Sequence, residues 1–402
     1  MANRDDLSVT IERPDAPPLA AVLHRPPGPL RGVALFAHCF TCSKDVRAAR
    51  IISAALASRA IATLRFDFTG LGESAGDFSE TTFSTNLDDL VAAADWLREE
   101  LAAPTILVGH SLGGAAVLAA AHRIDEVKAV ATVGAPADPD HVAALFTDAH
   151  QDIEAEGQAE VSLAGRSFVI KKAFLDDLAE HCSAKKIGSL GRALLVFHSP
   201  QDNTVGIDNA SQIFGAARHP KSFVSLDGAD HLLSKPSVAR YVGETIATWA
   251  SRYIDPEPTD VERGQVRVDA RKGFWTHVQA GPHGFVADEP PKVGGTDEGP
   301  TPYDLLLGAL GTCTAMTLRM YADRKELPLE RVRVTLSHDR VHVDDCAEAD
   351  KTEGKVDLIR WTIELEGDLS DEQRTRVLEI ADRCPVHRTL ENEIVIKTSE
   401  VT

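Results

Sequence analysis

Five residues constrain this chain more than any others: Gly109-His110-Ser111-Leu112-Gly113, set between the apolar run 106–108 and a helix-forming run from Leu112 through Ala121. A strand feeding a helix through so few residues forces a tight, strained turn. Glycines must flank it, because a side chain there would collide with the neighbouring strand and helix. The serine at its apex projects its hydroxyl over the helix N-terminus, a placement that suits a nucleophile.

A serine hydroxyl is too weakly acidic to attack unaided. A histidine must accept its proton and a carboxylate must orient that histidine. Chain order supplies both: Asp202 follows the strand-like run 194–198, and His231 follows the run 222–226. Each falls at the C-terminal end of a strand, where open α/β sheets place ligands. An acyl-transfer site also needs two backbone donors aimed at the developing negative charge. The amide of Leu112 is one candidate; the other is the amide of Phe40, in the loop His38-Cys39-Phe40-Thr41 after the run 32–37.

Up to about residue 252, short β-branched runs (32–37, 61–66, 105–108, 129–133, 194–198, 222–226) alternate with helical patterns, the rhythm of a parallel sheet wrapped by helices. Residues 8–11 and 19–24 predict an antiparallel hairpin that starts the sheet. Between about 137 and 190 the rhythm lapses into acidic and alanine-rich helices with a hairpin-like stretch, 160–170, turned at Gly165. This predicts a small helical lid inserted over the sheet. Residues 255–261, rich in proline and acids, predict a linker between a first domain, 1–254, and a second, 262–402. The second predicts paired strands at 265–280, an apolar helix over 303–325, strands at 331–343 and 356–365, and a helix over 370–383.

The first domain resembles the α/β-hydrolase superfamily, particularly its small esterase and serine aminopeptidase-like members, over roughly residues 19–252. The resemblance implies Ser111, Asp202 and His231 as catalytic residues and Phe40 and Leu112 as the oxyanion hole. Those relatives usually carry His-Gly-Phe in the oxyanion loop, where this chain has Cys39 for the glycine. Cys39 and Cys42 have a Cys-x-x-Cys spacing that suits a redox or metal pair, but no second such pair completes a zinc site. They are read as loop cysteines beside the active site. Residues 65–74 are read either as a loop shaping the acyl pocket or as an ordinary sheet-edge turn.

Residues 300–313, Pro-Thr-Pro-Tyr-Asp-Leu-Leu-Leu-Gly-Ala-Leu-Gly-Thr-Cys, followed downstream by Cys384-Pro385-Val386-His387-Arg388, resemble the OsmC/Ohr family over roughly 262–400. Members are thiol peroxidases. The resemblance implies an α+β domain with Cys313 as peroxidatic thiolate and Cys384 as resolving partner. It also implies an acid and an arginine supporting the thiolate, for which Asp304 and Arg271 are the candidates, and an intertwined homodimer. Peroxide oxidises a thiolate to a sulfenic acid, which a second thiol traps as a disulfide. Cys182 and Cys346 have no such context and are expected in lid and loop roles.

The chain is therefore expected to be a bifunctional enzyme. A serine hydrolase acting on an ester, thioester or peptide through an acyl-enzyme is joined to a cysteine-based organic hydroperoxide reductase. The alternative is a single-activity hydrolase whose second domain serves dimerisation or redox sensing. No cofactor or metal is expected beyond an external thiol or dithiol reductant; the partners are a small acyl substrate and an organic hydroperoxide. A formal net charge of -19 argues against a nucleic-acid partner, which needs clustered Lys and Arg. The N-terminal residues carry acids, Arg and prolines where a secretory signal would be apolar. The run 305–320, broken by two glycines, three threonines and Arg319, reads as a buried helix rather than a membrane span. A cytoplasmic location is expected.

Overall fold

The computed structural model describes residues 6–39, 42–138, 150–163, 166–181, 187–255, 261–342 and 355–400. The chain divides into two compact units, Met1–Phe285 and Val286–Thr402.

The first unit is organised by an eight-stranded sheet in the order β1-β2-β4-β3-β5-β6-β9-β10. Its strands are β1 (Asp6–Ile11), β2 (Leu19–His24), β3 (Gly32–Ala37), β4 (Ile61–Phe66), β5 (Ile106–His110), β6 (Ala129–Val133), β9 (Ala193–His198) and β10 (Lys221–Ser225). β1 and β2 pair antiparallel, β2 runs antiparallel to β4, and the remaining strands are parallel. The central strands are buried on both faces: every residue of Ile61–Phe66, Ala129–Val133 and Ala193–His198 is buried. That is why they read as continuous apolar runs rather than as alternating ones. Helices Phe83–Glu100 and Leu112–Ala120 cover one face, through Leu87, Leu90 and Ala116. Helices Arg47–Ala57 and Pro236–Ala250 cover the other, through Ile52, Leu56, Val242 and Ile246.

The insertion expected near 137–190 is present as helix His150–Glu156, the hairpin β7 (Gln158–Leu163) and β8 (Arg166–Lys171), and helix Lys172–His181. The turn at Gly165 and the lid cysteine Cys182 lie outside the described residues. The insertion is not a detached flap. Ile153, Val161, Ile170, Phe174 and Leu178 join the main core. Asp177 accepts hydrogen bonds from the amide and hydroxyl of Ser84, at 2.6 and 2.7 Å.

A three-stranded sheet follows in the chain, made of β11 (Val266–Ala270), β12 (Thr276–Ala280) and β13 (His283–Ala287). Most of the expected linker, 256–260, lies outside the described residues. The composition marks a change of character near 255–261, whereas packing thins at Phe285.

The second unit holds the long helix Pro302–Arg324, the antiparallel pair β14 (Leu329–His342) and β15 (Lys355–Gly367), and helices Asp371–Ala381 and Pro385–Glu391. Among the described residues its core falls into two small clusters: Leu318, Val377, Ile380 and Ala381, with Trp361 and Ile363 partly buried against them, and Ala322, Leu329 and Leu369. The long helix departs from the buried reading. Met316 is 65% and Met320 72% exposed, with Tyr303 and Leu306 also open. It is long and apolar enough to cross a membrane by length and composition, a test that core helices of soluble proteins also pass.

Candidate active site

Ser111 closes β5 and opens helix Leu112–Ala120 with φ +56° and ψ -127°. This conformation costs a non-glycine residue on the order of 1–3 kcal/mol and persists only where the surroundings enforce it. The surroundings do so. The Ser111 amide donates to Val133 O at 2.9 Å and the Gly114 amide to Ser111 O at 2.8 Å. A Cβ on Gly109 would stand 2.3 Å from Gly113 O, and one on Gly113 2.4 Å from Ala37 O. Both glycines of the pentapeptide are therefore required by close packing, and the second lets the helix seat against the end of β3, where the oxyanion loop begins.

The three residues singled out by chain order meet. His231 Nε2 lies 3.0 Å from Ser111 Oγ, and His231 Nδ1 lies 2.7 Å from Asp202 Oδ2. Asp202 is nearly buried, which by itself would raise its pKa. Hydrogen bonds from His231 and from the amides of Val205 and Thr204, with the attraction to His231, outweigh that and hold it below the ordinary carboxylate value. An ionised Asp202 keeps the proton on His231 Nδ1 and leaves Nε2 free to accept from the serine.

Leu112 is buried at the first helical position, where a helix leaves its N–H unpaired. Phe40 lies outside the described residues, so the second expected oxyanion donor has no structural account. The flanks of its loop are well tied. Cys39 and Cys42 form a disulfide with Cα atoms 5.3 Å apart, inside normal bridging range. The two cysteines, read as loop residues beside the active site, are thus a bonded pair, with the Cys42 amide donating to Cys39 O at 3.1 Å. Asp67 braces the same segment. Its carboxylate accepts from the amides of Lys44 and Glu73 at 2.5 and 2.9 Å and from Lys44 Nζ at 3.2 Å. The 65–74 segment thus holds the loop around Cys39–Cys42 in place.

Two histidines have roles that the sequence did not signal. His110 Nε2–H donates to the carbonyl of His231 at 2.7 Å. Burial and the neighbouring His231 push its pKa down to about 4, so it is neutral near pH 7. His38, fully enclosed, donates from Nδ1 to Cys39 O at 2.6 Å. The identity of the residue before a nucleophile, or before a loop cysteine, carries no pattern that would have revealed either role.

In the second unit Cys313 and Cys384 are free thiols within hydrogen-bonding reach of each other. Cys384 is fully buried and caps helix Pro385–Glu391. Burial would raise its pKa, but the Cys313 thiol, the His387 amide and Thr314 hold it below the ordinary value. Burial and the bond to Cys384 push Cys313 up. Within this chain the negative charge is thus better held by Cys384, the residue that the family resemblance makes the resolving partner.

Neither expected thiolate support reaches Cys313 within the unit. Asp304 is the N3 residue of a capping box, accepting from the amide and hydroxyl of Thr301 at 2.9 and 2.8 Å. It is nine residues from Cys313, about 13 Å along the helix axis. Arg271 belongs to the first unit, near enough to Arg25 to lower that guanidinium's pKa. Cys346 lies outside the described residues. Among the described residues no three His, Cys, Asp or Glu side chains gather as a metal-binding group.

The alpha/beta hydrolase family profile matches residues 34–241, and the OsmC-like protein profile matches residues 295–399. Among solved structures, the esterase domain of a Rhodothermus marinus protein is 48% identical with TM-score 0.51, covering 62% of this chain and 98% of that one. Mouse alpha/beta hydrolase domain-containing protein 10 shares the fold at 22% identity and TM-score 0.51, covering 61% of this chain and 99% of that one. The mitochondrial palmitoyl-protein thioesterase ABHD10 of Rattus norvegicus is 32% identical over 130 residues, 30% of this chain and 42% of that protein. The Homo sapiens protein of the same name is 27% identical over 160 residues, 38% of this chain and 51% of that protein. The chain thus spans about half the length of these curated relatives. With the strained serine turn on a mostly parallel sheet, these matches place the chain in the alpha/beta hydrolase family, with an OsmC domain fused behind its hydrolase fold.

Proposed function

We propose that the first unit is a serine hydrolase acting on esters and thioesters through an acyl-Ser111 intermediate. The observation that carries this is the continuous relay Ser111–His231–Asp202 at 3.0 and 2.7 Å. In the first step His231 Nε2 takes the hydroxyl proton while Ser111 Oγ bonds to the acyl carbon, and the Leu112 amide faces the resulting oxyanion. The proton passes from Nε2 to the departing alkoxide or thiolate as its bond to carbon breaks. Water then repeats the sequence and releases the acid. Of the acyl classes that the sequence leaves open, ester and thioester are favoured over peptide by the esterase and thioesterase names of the relatives. A fluorophosphonate probe should label Ser111 in the wild type and not in Ser111→Ala. Absence of labelling in folded wild type would refute the reading.

For the second unit we propose a thiol peroxidase. One thiolate attacks the outer oxygen of an organic hydroperoxide, giving a sulfenic acid and an alcohol. The second thiol displaces water to form a Cys313–Cys384 disulfide, and an external dithiol reduces it. The proximity of two free thiols supports this. Met316 and Met320, open to solvent on the long helix, favour a homodimer through this unit, which would also serve the alternative reading of a dimerisation or redox-sensing module. A reductant-dependent cycle fits the cytoplasm. Consumption of cumene hydroperoxide with dithiothreitol should be lost in the double variant Cys313→Ser/Cys384→Ser and kept in Ser111→Ala; no turnover by wild type would leave the second reading.

A further inference from the structure

One pair of cysteines has no part in either proposed reaction. The Cys39–Cys42 bridge joins residues only three apart in the chain. What a disulfide contributes to stability grows with the length of the loop it closes, so this one does little as a staple. In the reducing cytoplasm proposed above, a bridge of this kind is as a rule transient and redox-responsive.

Packing ties the bridge to the serine turn. The His38 ring holds the bridged segment, with Nδ1 donating to Cys39 O at 2.6 Å. The same ring lines a space of about 10 Å³ together with Leu112 and Gly113, in the first helical turn after Ser111. Gly113 also packs on the carbonyls of Ala37 and His38, which a Cβ there would approach to 2.4 and 2.5 Å. Beyond Cys42 the chain is fixed as well: the Lys44 amide donates to Asp67 Oδ1 at 2.5 Å, and Lys44 O accepts from Arg65 at 2.9 Å. Phe40, whose amide is the expected second oxyanion donor, is one of the two residues enclosed in the chain between the bridged cysteines. The two sulfurs differ in access. Cys39 is 5% exposed, whereas Cys42 is half-buried and lines a cavity of about 370 Å³ that also reaches the exposed Arg47. A small thiolate arriving from solvent therefore meets Cys42 first.

We infer that Cys39–Cys42 is a reversible thiol–disulfide site through which a dithiol reductant switches the hydrolase down. The inference rests on the reading of Ser111 as nucleophile. One thiolate of the reductant bonds to Cys42 Sγ as the bridge breaks, and Cys39 leaves as a thiolate and takes up a proton. The reductant's second thiolate then attacks the reductant's own sulfur in that mixed disulfide. Cys42 leaves and is protonated, and the reductant departs as a cyclic disulfide. Two electrons and two protons have passed to the protein. A small-molecule disulfide reverses the exchange. With the bridge open, the segment from Cys39 to Cys42 loses its covalent closure, while Ser111, His231 and Asp202 keep their own contacts. The loss falls where oxyanion donors act, in the transition state, and so on kcat more than on KM.

The test uses the full chain. Wild type is treated with dithiothreitol, freed of it by gel filtration without air, and assayed with p-nitrophenyl acetate, while alkylation and mass spectrometry report the state of the bridge. On reduction kcat should fall about tenfold or more, short of the roughly 10²–10³-fold that loss of an oxyanion donor costs, and should return with oxidised glutathione. Cys42→Ser, at the half-buried position, should show the lowered rate from the start and respond to neither reagent. The wild-type comparison needs no variant, so it decides even if Cys42→Ser fails to fold. A bridge that stays closed in dithiothreitol overturns the inference, as does an unchanged kcat with the bridge open or a response that persists in Cys42→Ser. In each of these cases Ser111 of the oxidised protein is still labelled by fluorophosphonate. No ester turnover and no labelling in either state removes the serine-hydrolase reading and this inference with it.

Discussion

The two reactive sites of this chain are built to different degrees of completeness. Around Ser111 the three residues of the relay find one another within the same unit. The relay ends on a carboxylate held by two backbone amides, and the turn beneath it is enforced by packing on β3. Around Cys313 the described residues of the unit form only small buried clusters, and two methionines of its central helix are open to water. Its expected acid is spent on capping. Fully burying a Leu, Ile or Phe contributes roughly 1.5–3 kcal/mol, so a core this small holds a site less firmly than the hydrolase sheet does. A reactive site can be self-sufficient within one fold when it sits at the edge of a fully covered sheet. A site on a half-covered helix depends on what else covers it.

Three experiments would break or sharpen that contrast. The largest effect is expected from Asp202→Asn. It leaves the side-chain shape intact but removes the charge that keeps the proton on His231 Nδ1, so ester turnover should fall by roughly 10³–10⁴-fold with stability little changed. Hydrolysis that survives within tenfold would show that the relay is not the working unit.

A smaller effect concerns His110. Its folded pKa, about 4, lies below the unfolded value near 6.5. Between these values the unfolded chain binds more protons, so the contribution is complete above pH 6.5 and is lost as pH falls toward 4. Urea unfolding followed for the first unit should show about 2 kcal/mol less stability at pH 5 than at pH 7.5 from this group. His110→Gln should lose that share of the pH slope. An unchanged slope would mean that His110 is not held neutral by its burial.

The smallest effect tests the thiol pair. Cys313→Ser replaces the S–H that helps hold charge on Cys384 with a hydroxyl. Alkylation of Cys384 by iodoacetamide at pH 7, mapped by mass spectrometry, should change by only a few fold, because the His387 amide and Thr314 remain. Cys384→Ser should leave Cys313 slow to alkylate, since burial still raises it. Rapid alkylation of Cys313 in that variant would reverse the order of acidity within the pair.

Much of the first site was legible because its signals are local. The pentapeptide at Ser111 needs only a strand before it and a helix after it. Asp202 and His231 could be located by the strands they follow, at the ends expected to carry ligands. The hairpin of the insertion was likewise read from a local signal, the glycine at 165 between two strand-like runs. The second unit was less legible. Its elements were foreseen, but the long helix was read as buried because apolar composition does not say which residues find a neighbour. Asp304 was read as a thiolate support when the local Thr301 claims it. Cys39 and Cys42 were read as loop cysteines, because their spacing alone did not say whether they bond to each other.

The sequence by itself determined the order of strands and helices, the strained serine turn and the chain order of nucleophile, acid and base, because these depend on periodicity and on residues a few positions apart. Only the tertiary structure decided that His110 supports the His231 loop from 121 residues away and that Asp67 braces the segment after Cys42. These are contacts between segments that the folded sheet brings together. Packing sets them in three dimensions, and no local pattern records it.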